Sequence, residues 1–253
     1  MTPDTLSNIL TPENLSGSYF VELQMSGEPL LHSHFHTTVS EIRRAFPDIC
    51  LGLSTNGSLI HECIGALVKL DYITISVDSI TGYENVRKNN NGFDSESLIE
   101  NIDLLVRSVN PNKTKIDLQL IELPGYEVQL NLVKNIFHDY PVRIRTVPDC
   151  FVTLFKEVEE PVKTDMCLNP WLSVSIQSNG NVVPCCFAFG DDIVYGNINE
   201  HSLKEIWNGT KVKELREQHV TRNYGRLCRT CYMRSPVLLH WDLYLKSIRK
   251  HFA

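Results

Sequence analysis

The sequence predicts an α/β protein: an open, incomplete parallel α/β barrel followed by a small Cys-rich domain built on a β-hairpin and a helix. Two observations carry this. Strand-like and helix-like segments alternate from residue 18 to residue 147, and five of the eight cysteines lie after residue 160, where the pattern changes to a hairpin signal. The expected domains are a partial barrel over 1–150, a linker over 151–166, the Cys-rich domain over 167–235 and a last helix over 236–253.

Each element has a local cause. Residues 1–16 carry short helix signals around Pro3 and Asp4. Ser18 to Met25 is a strand that stops at Ser26-Gly27-Glu28-Pro29. Val39, Ile42, Ala45 and Phe46 have helical spacing. Ile49 to Ser54 is an apolar strand closed by Thr55-Asn56-Gly57, a turn signal. Leu59 to Leu70 is helical, and Tyr72 to Val77 is a β-branched strand. Residues 79–93 are polar and loop-like. Asp94 or Ser95 caps a helix through Val109. Ile116 to Leu123, Tyr126 to Tyr140 and Val142 to Val147 follow as strand, helix and strand. Strand–helix alternation at this spacing implies parallel strands with crossovers. A closed barrel needs eight strands, and only five are found, so the barrel is open. After the linker, Leu172 to Ile176 and Asn181 to Cys186 flank Asn179-Gly180, a hairpin turn. Ser202 caps a helix carrying Leu203, Ile206 and Trp207.

Composition excludes several classes. Hydrophobic residues make up 42% and charged residues 21% of 253, ordinary globular usage. The net charge of −6 gives no general attraction to nucleic acid or anionic lipid, so neither is expected as a partner. No apolar run reaches the length of a spanning helix. The first residues lack the basic and apolar regions of a secretory signal, and the chain is read as cytoplasmic. There, clustered cysteines more often bind metal than form disulfides.

Cys228-Arg229-Thr230-Cys231 is a C-x-x-C pair, and Cys167 precedes the hairpin whose return strand holds Cys185. Folding the hairpin brings Cys167 and Cys185 toward one end, where the C-x-x-C turn supplies two more thiolates. Four thiolates suit zinc and an iron–sulfur cluster alike. Cys50, Cys63 and Cys150 have no local partner and read as packed thiols. Cys186, on the opposite strand face from Cys185, reads the same way. His32, His34 and His36 alternate, but the helix entry they precede explains them better than a metal site does.

Cys167-x-x-Pro170-Trp171, Gly180-x-x-x-Pro184-Cys185-Cys186, Gly196-Asn197-Ile198, Ser202-Leu203-x-x-Ile206-Trp207-Asn208 and Cys228-x-x-Cys231 form an ordered series. It resembles the SPASM/twitch auxiliary domain of radical S-adenosylmethionine (SAM) enzymes. The resemblance implies one auxiliary [4Fe-4S] cluster on Cys167, Cys185, Cys228 and Cys231. Ser26-Gly27-Glu28-Pro29 resembles the family's Gly-Gly-Glu-Pro segment, whose backbone meets the methionine amino group of SAM. Thr55-Asn56 and Ser76-x-Asp78 resemble the ends of the next two strands. Arg87 resembles an arginine that meets the SAM carboxylate in that family, and Gln119, on the family's fifth strand, is expected as a further partner for the methionine or ribose part of SAM. These residues fall at strand carboxyl ends, where parallel α/β proteins bind ligands.

The family's C-x-x-x-C-x-x-C, which holds the SAM-cleaving cluster, does not occur in these 253 residues. The chain by itself is therefore not expected to generate a 5′-deoxyadenosyl radical. The resemblance implies an oxidoreductase or modifying enzyme acting on a peptide or small molecule, with a flavodoxin or ferredoxin as reductant. The alternatives are a non-catalytic iron–sulfur or electron-transfer module and a zinc-stapled binding protein.

Overall fold

The computed structural model describes residues 1–25, 27–77, 79–81, 94–147, 167–188, 193–229 and 231. The expectations for Ser26, Asp78, Arg87, Cys150, the linker and the 236–253 helix lie outside the described residues. The chain forms two units, one of Tyr19–Asp149 and one of Met1–Ser18 with Cys150–Ala253. Residues 1–18, which the sequence places with the barrel, thus group with the C-terminal part.

The first unit is a five-stranded sheet in the order β1-β2-β3-β4-β5, every pair parallel. Its strands are β1 (Phe20–Leu23), β2 (Cys50–Thr55), β3 (Tyr72–Ser76), β4 (Lys115–Ile121) and β5 (Val142–Val147). The connections carry α3 (Phe35–Ala45), α4 (Ile60–Leu67), α5 (Ser95–Ser108) and α6 (Tyr126–Ile136). Asp94 accepts from Ser97 N and caps α5, as its sequence indicates. Sequential strands pair side by side, and the sheet is open, as five strands require. Leu51, Leu53, Ile73, Ile75 and Leu118 on the strands are buried, as are Val39, Ile42, Ile60, Leu67, Leu98 and Ile102 on the helices. This burial is the main stabilisation of the unit.

The opposite sheet face is polar. By register and period-two alternation it carries Glu22, Ser54, Thr74, Ser76, Asp117, Gln119, Arg143 and Arg145. These groups bond across the strands. Ser54 Oγ donates to Glu22 Oε1 at 3.2 Å. Arg143 reaches Asp117 with two bonds, Nε to Oδ1 at 2.9 Å and Nη2 to Oδ2 at 2.6 Å. Arg145 Nε lies 2.9 Å from Asp117 Oδ2, and the Tyr72 hydroxyl donates to the same oxygen. A carboxylate as buried as Asp117, 1% exposed, is tolerated only with such partners.

The second unit opens with α1 (Pro3–Ile9) and α2 (Pro12–Leu15), capped by the hydroxyls of Thr2 and Thr11. It continues with α7 (Asn169–Leu172), β6 (Ser175–Ile176), β7 (Asn181–Val183), β8 (Gly196–Asn197), α8 (Leu203–Trp207), α9 (Thr210–Val220) and α10 (Arg226–Arg229). β6, β7 and β8 form an antiparallel sheet in that order. Gly180 closes the predicted hairpin at φ +89, where a Cβ would come within 2.4 Å of Asn199 Nδ2. Ser202 and Glu205 complete a capping box at α8.

Three details differ from the sequence reading. The 172–176 strand is a helical turn followed by a two-residue strand. The return strand ends at Val183, before Pro184, so strand alternation does not set where Cys186 points. Helix α9 was not foreseen, because only Val212, Leu215 and His219 of its eleven residues are buried. The core here is Val182, Tyr195, Ile198, Ile206, Val212 and Leu215, with Ile9 and Cys228 packed against it. Asn8 Nδ2 donates to Asn199 Oδ1 at 3.1 Å, and Asn14 Oδ1 accepts from Leu203 N at 2.8 Å, so the first two helices belong to this core. Among the described residues, no helix is long and apolar enough to cross a membrane.

Candidate functional site

The carboxyl ends of β1 and β2 are joined by one carboxylate. Gly27 adopts φ +118, a conformation that glycine tolerates and side chains resist. The turn then runs into a 3-10 segment, Pro29–Leu31, whose Leu30 N donates to Glu28 Oε1 at 3.1 Å. Thr55 Oγ1 donates to the same oxygen at 2.6 Å, and Asn56 N donates to Oε2 at 2.7 Å. Both Glu28 oxygens are therefore occupied within the protein. Thr55 Oγ1 also accepts from Gly57 N, and Asn56 Oδ1 accepts from Ser58 N and Oγ. The side chains of Glu28, Thr55 and Asn56 shape two turns, and the Gly27-Glu28-Pro29 backbone is the part held in place. Buried Asn101 on α5 completes the arrangement by donating to Gly57 O at 2.8 Å and Ser58 O at 3.2 Å.

Ser76 and Gln119 are register partners at the ends of β3 and β4, and Arg145 is the register partner of Gln119 on β5. The structure thus sets Gly27, Glu28, Pro29, Thr55 and Asn56 together, and Ser76 with Gln119 alongside on the same sheet. Sequence reasoning missed Glu22, Asp117, Arg143 and Arg145. The alternation in Val142-Arg143-Ile144-Arg145 was the available signal. Burial pushes the Glu22 carboxyl up from 4.5 to about 7, against the Ser54 bond and the Arg145 charge. Burial, then the bond to Asp117, pushes the Tyr72 hydroxyl up to about 12. His32, His34 and His36 do not share an extended face: Pro29–Leu31 precedes them, His34 stands at the N-terminal boundary of α3 and His36 lies within the helix.

The second site is a cavity in the C-terminal unit. Cys167, Cys185, Cys228 and Cys231 all line it, with Asn169, Pro184, Phe187, His219 and Leu227. The elements explain the convergence. Cys167 lies just ahead of α7, Cys185 just past β7, and Cys228 on α10. Helix α9 holds α7 from the side: Arg216 Nε donates to Pro170 O at 2.8 Å, and the His219 ring meets Trp171 edge-on at 6.2 Å. The His219 ring also meets Tyr224 at 5.0 Å. Burial, then the neighbouring Cys186, pushes the Cys185 thiol well above the usual thiol range, with Cys231 and Cys228 adding to it.

These residues fit an iron–sulfur cluster. The donor set is four cysteines on one cavity, the set such clusters use. A second observation supports the fit. Tyr195 is 7% exposed, and its buried hydroxyl has no hydrogen-bond partner among the described residues. Cys228 packs against the core that holds the Tyr195 ring.

Comparison with known proteins agrees. Residues 167–232 match the SPASM family model, an iron–sulfur cluster-binding domain. No curated protein matches the chain. Among solved structures, the chain is similar to histidine-tagged anSMEcpe with bound AdoMet, with TM-score 0.66 and 19% identity over 100% of this chain and 83% of that one. It is similar to native anSMEcpe with bound AdoMet and Cp18Cys peptide, with TM-score 0.64, 19% identity and coverage of 100% and 88%. For BtrN in complex with AdoMet and 2-DOIA the TM-score is 0.57, the identity 17% and the coverage 92% and 80%. At these identities the likeness is one of fold. Residues 167–232 are thus similar to the SPASM iron–sulfur cluster-binding domain, and the chain shares its fold with anSMEcpe and BtrN.

Proposed function

We propose that this chain is the sheet and auxiliary-cluster part of a radical SAM oxidoreductase or modifying enzyme. The observation that carries the reading is the single cavity lined by Cys167, Cys185, Cys228 and Cys231, inside the SPASM match. In this reading those four thiolates hold one auxiliary [4Fe-4S] cluster. SAM binds at the strand ends, where Glu28 positions the Gly27-Glu28-Pro29 backbone and Ser76 and Gln119 offer side-chain partners. Ser26, Asp78 and Arg87 belong to the same proposed set. SAM supplies, on one-electron reduction, the agent that removes a hydrogen atom from substrate. The chain's own work is to orient the methionine end through turns that Thr55, Asn56 and Asn101 hold rigid. A substrate of the peptide or small-molecule class is supported by the Cp18Cys peptide and the 2-DOIA bound in the similar structures. A flavodoxin or ferredoxin is the proposed reductant, and the compartment the cytoplasm.

The test is anaerobic purification with metal and sulfide analysis. About four irons and four sulfides per chain are expected, falling steeply when any one of the four cysteines becomes alanine. Colourless, zinc-loaded protein sinks the reading. A second reading, a non-catalytic iron–sulfur module, is favoured by one observation: no C-x-x-x-C-x-x-C occurs in the 253 residues. Calorimetry separates the two, since only the first reading requires the chain to bind SAM. Formation of 5′-deoxyadenosine by the chain alone under strong reductant would exclude the second.

A further inference from the structure

Tyr195 occupies a place that the cysteine cavity does not itself explain. It sits directly before β8 and is fixed by its own backbone, with Tyr195 N donating to Val182 O at 2.8 Å. Its ring lies in the core of the C-terminal unit with Val182, Ile198, Ile206, Val212 and Leu215, and Cys228 packs against this core. The phenol therefore stands behind the cavity wall rather than in it. Its hydroxyl is buried and without a hydrogen-bond partner among the described residues. A core position that needs only an apolar ring is filled equally well by phenylalanine, and a buried hydroxyl without a partner destabilises the fold. Cys228, one of the proposed cluster ligands, packs against the same core as the Tyr195 ring. A neutral thiol is a weak acceptor, whereas a thiolate bonded to iron is an anionic one, to which a phenol donates strongly.

We propose that the Tyr195 hydroxyl donates a hydrogen bond to a ligand thiolate of the bound cluster, Cys228 being the ligand that packs against the same core, and thereby sets how readily the cluster accepts an electron. The inference rests on the cluster reading above. A donor aimed at a ligand sulfur stabilises the more negative, reduced state more than the oxidised one, and so raises the reduction potential. Tyr195 is a positioning and tuning residue, since it touches the ligand and not the substrate.

The test is Tyr195→Phe, which removes one oxygen and keeps the ring. Wild type and variant are purified anaerobically, analysed for iron and sulfide, and titrated with dithionite while the reduced cluster is followed by electron paramagnetic resonance. The variant is expected to keep its full iron and sulfide. At a fixed potential its ratio of reduced to oxidised cluster falls about tenfold, equivalent to about 59 mV for one electron. In the metal-free form the variant is expected to be at least as stable as wild type, because the unpartnered hydroxyl is gone. An unchanged midpoint in fully loaded variant overturns the proposal. So does loss of iron with the fold intact, which makes the tyrosine a ligand rather than a donor. So does a less stable metal-free variant, which means that the hydroxyl is already bonded within the protein. Wild type without iron or sulfide overturns the cluster reading itself, and the analysis that precedes the titration reports that separately.

Discussion

Glu22 on β1 offers a sharp test of the polar sheet face. Its carboxyl is raised from 4.5 to about 7, burial being the main cause. The folded state therefore binds the Glu22 proton more tightly than the unfolded chain does. Below the unfolded value both states are protonated, and Glu22 contributes no pH dependence. Between 4.5 and about 7 the folded state must give up a proton it holds tightly, so stability falls as pH rises. Above that window the loss is complete. At about 1.36 kcal/mol per pH unit, the gap between 4.5 and 7 corresponds to about 3 kcal/mol as an upper figure. Glu22→Gln mimics the protonated form, and its amide oxygen still accepts from Ser54. The variant is expected to match wild type in urea unfolding at about pH 4, and to exceed it by up to about 3 kcal/mol at about pH 8. A difference that is equal at both pH values, or largest in acid, would refute the argument that burial strains this carboxylate.

Three further outcomes follow from named contacts. Asp117→Asn leaves half-buried Arg145 and its neighbour Arg143 without their carboxylate, and is expected to cost about 3–5 kcal/mol in urea unfolding, part of it recovered by adding Arg145→Met. Gly57→Ala places a methyl 2.7 Å from Leu98 Cδ1 at a φ of +83, and is expected to lower stability by roughly 1–3 kcal/mol in thermal melts. Glu28→Gln sets an amide against a turn that uses both carboxylate oxygens. On the proposed function it weakens SAM binding about tenfold by calorimetry while the far-UV circular dichroism stays unchanged.

Much of the fold was legible because its signals are local. Val142 to Val147 reads as a strand with the bounds the structure shows, and Asn179-Gly180 places its hairpin turn. The cysteine cavity was legible too, since spacing around a hairpin constrains where thiols meet. What escaped depends on contacts far apart in sequence. The Glu28 bonds to Thr55 and Asn56 span 27 and 28 positions, and no local pattern announces them. The polar face escaped although Val142-Arg143-Ile144-Arg145 alternates, because which charges meet across the strands is set by register between distant segments. Helix α9 escaped because most of its residues are charged or polar, and its three buried positions are too few to read as a stripe. Tyr195 and His219 were not singled out, since a tyrosine or histidine near apolar residues looks like ordinary core.

The grouping of Met1–Ser18 with the C-terminal unit has a consequence for how the protein comes into being. The five-stranded sheet is an insertion within a discontinuous domain. Asn8 meets Asn199 across 191 positions of sequence. During synthesis the first two helices leave the ribosome without the core they belong to, and Ile9 stays uncovered until Val182, Ile206 and Leu215 follow. The sheet can fold in the interval, because its neighbouring strands are consecutive. The thiols meet only after the strands of the sheet have been made, so cofactor assembly follows the folding of the sheet. Any tag or trimming at residues 1–18 acts on the cysteine domain rather than on the sheet to which those residues are covalently adjacent.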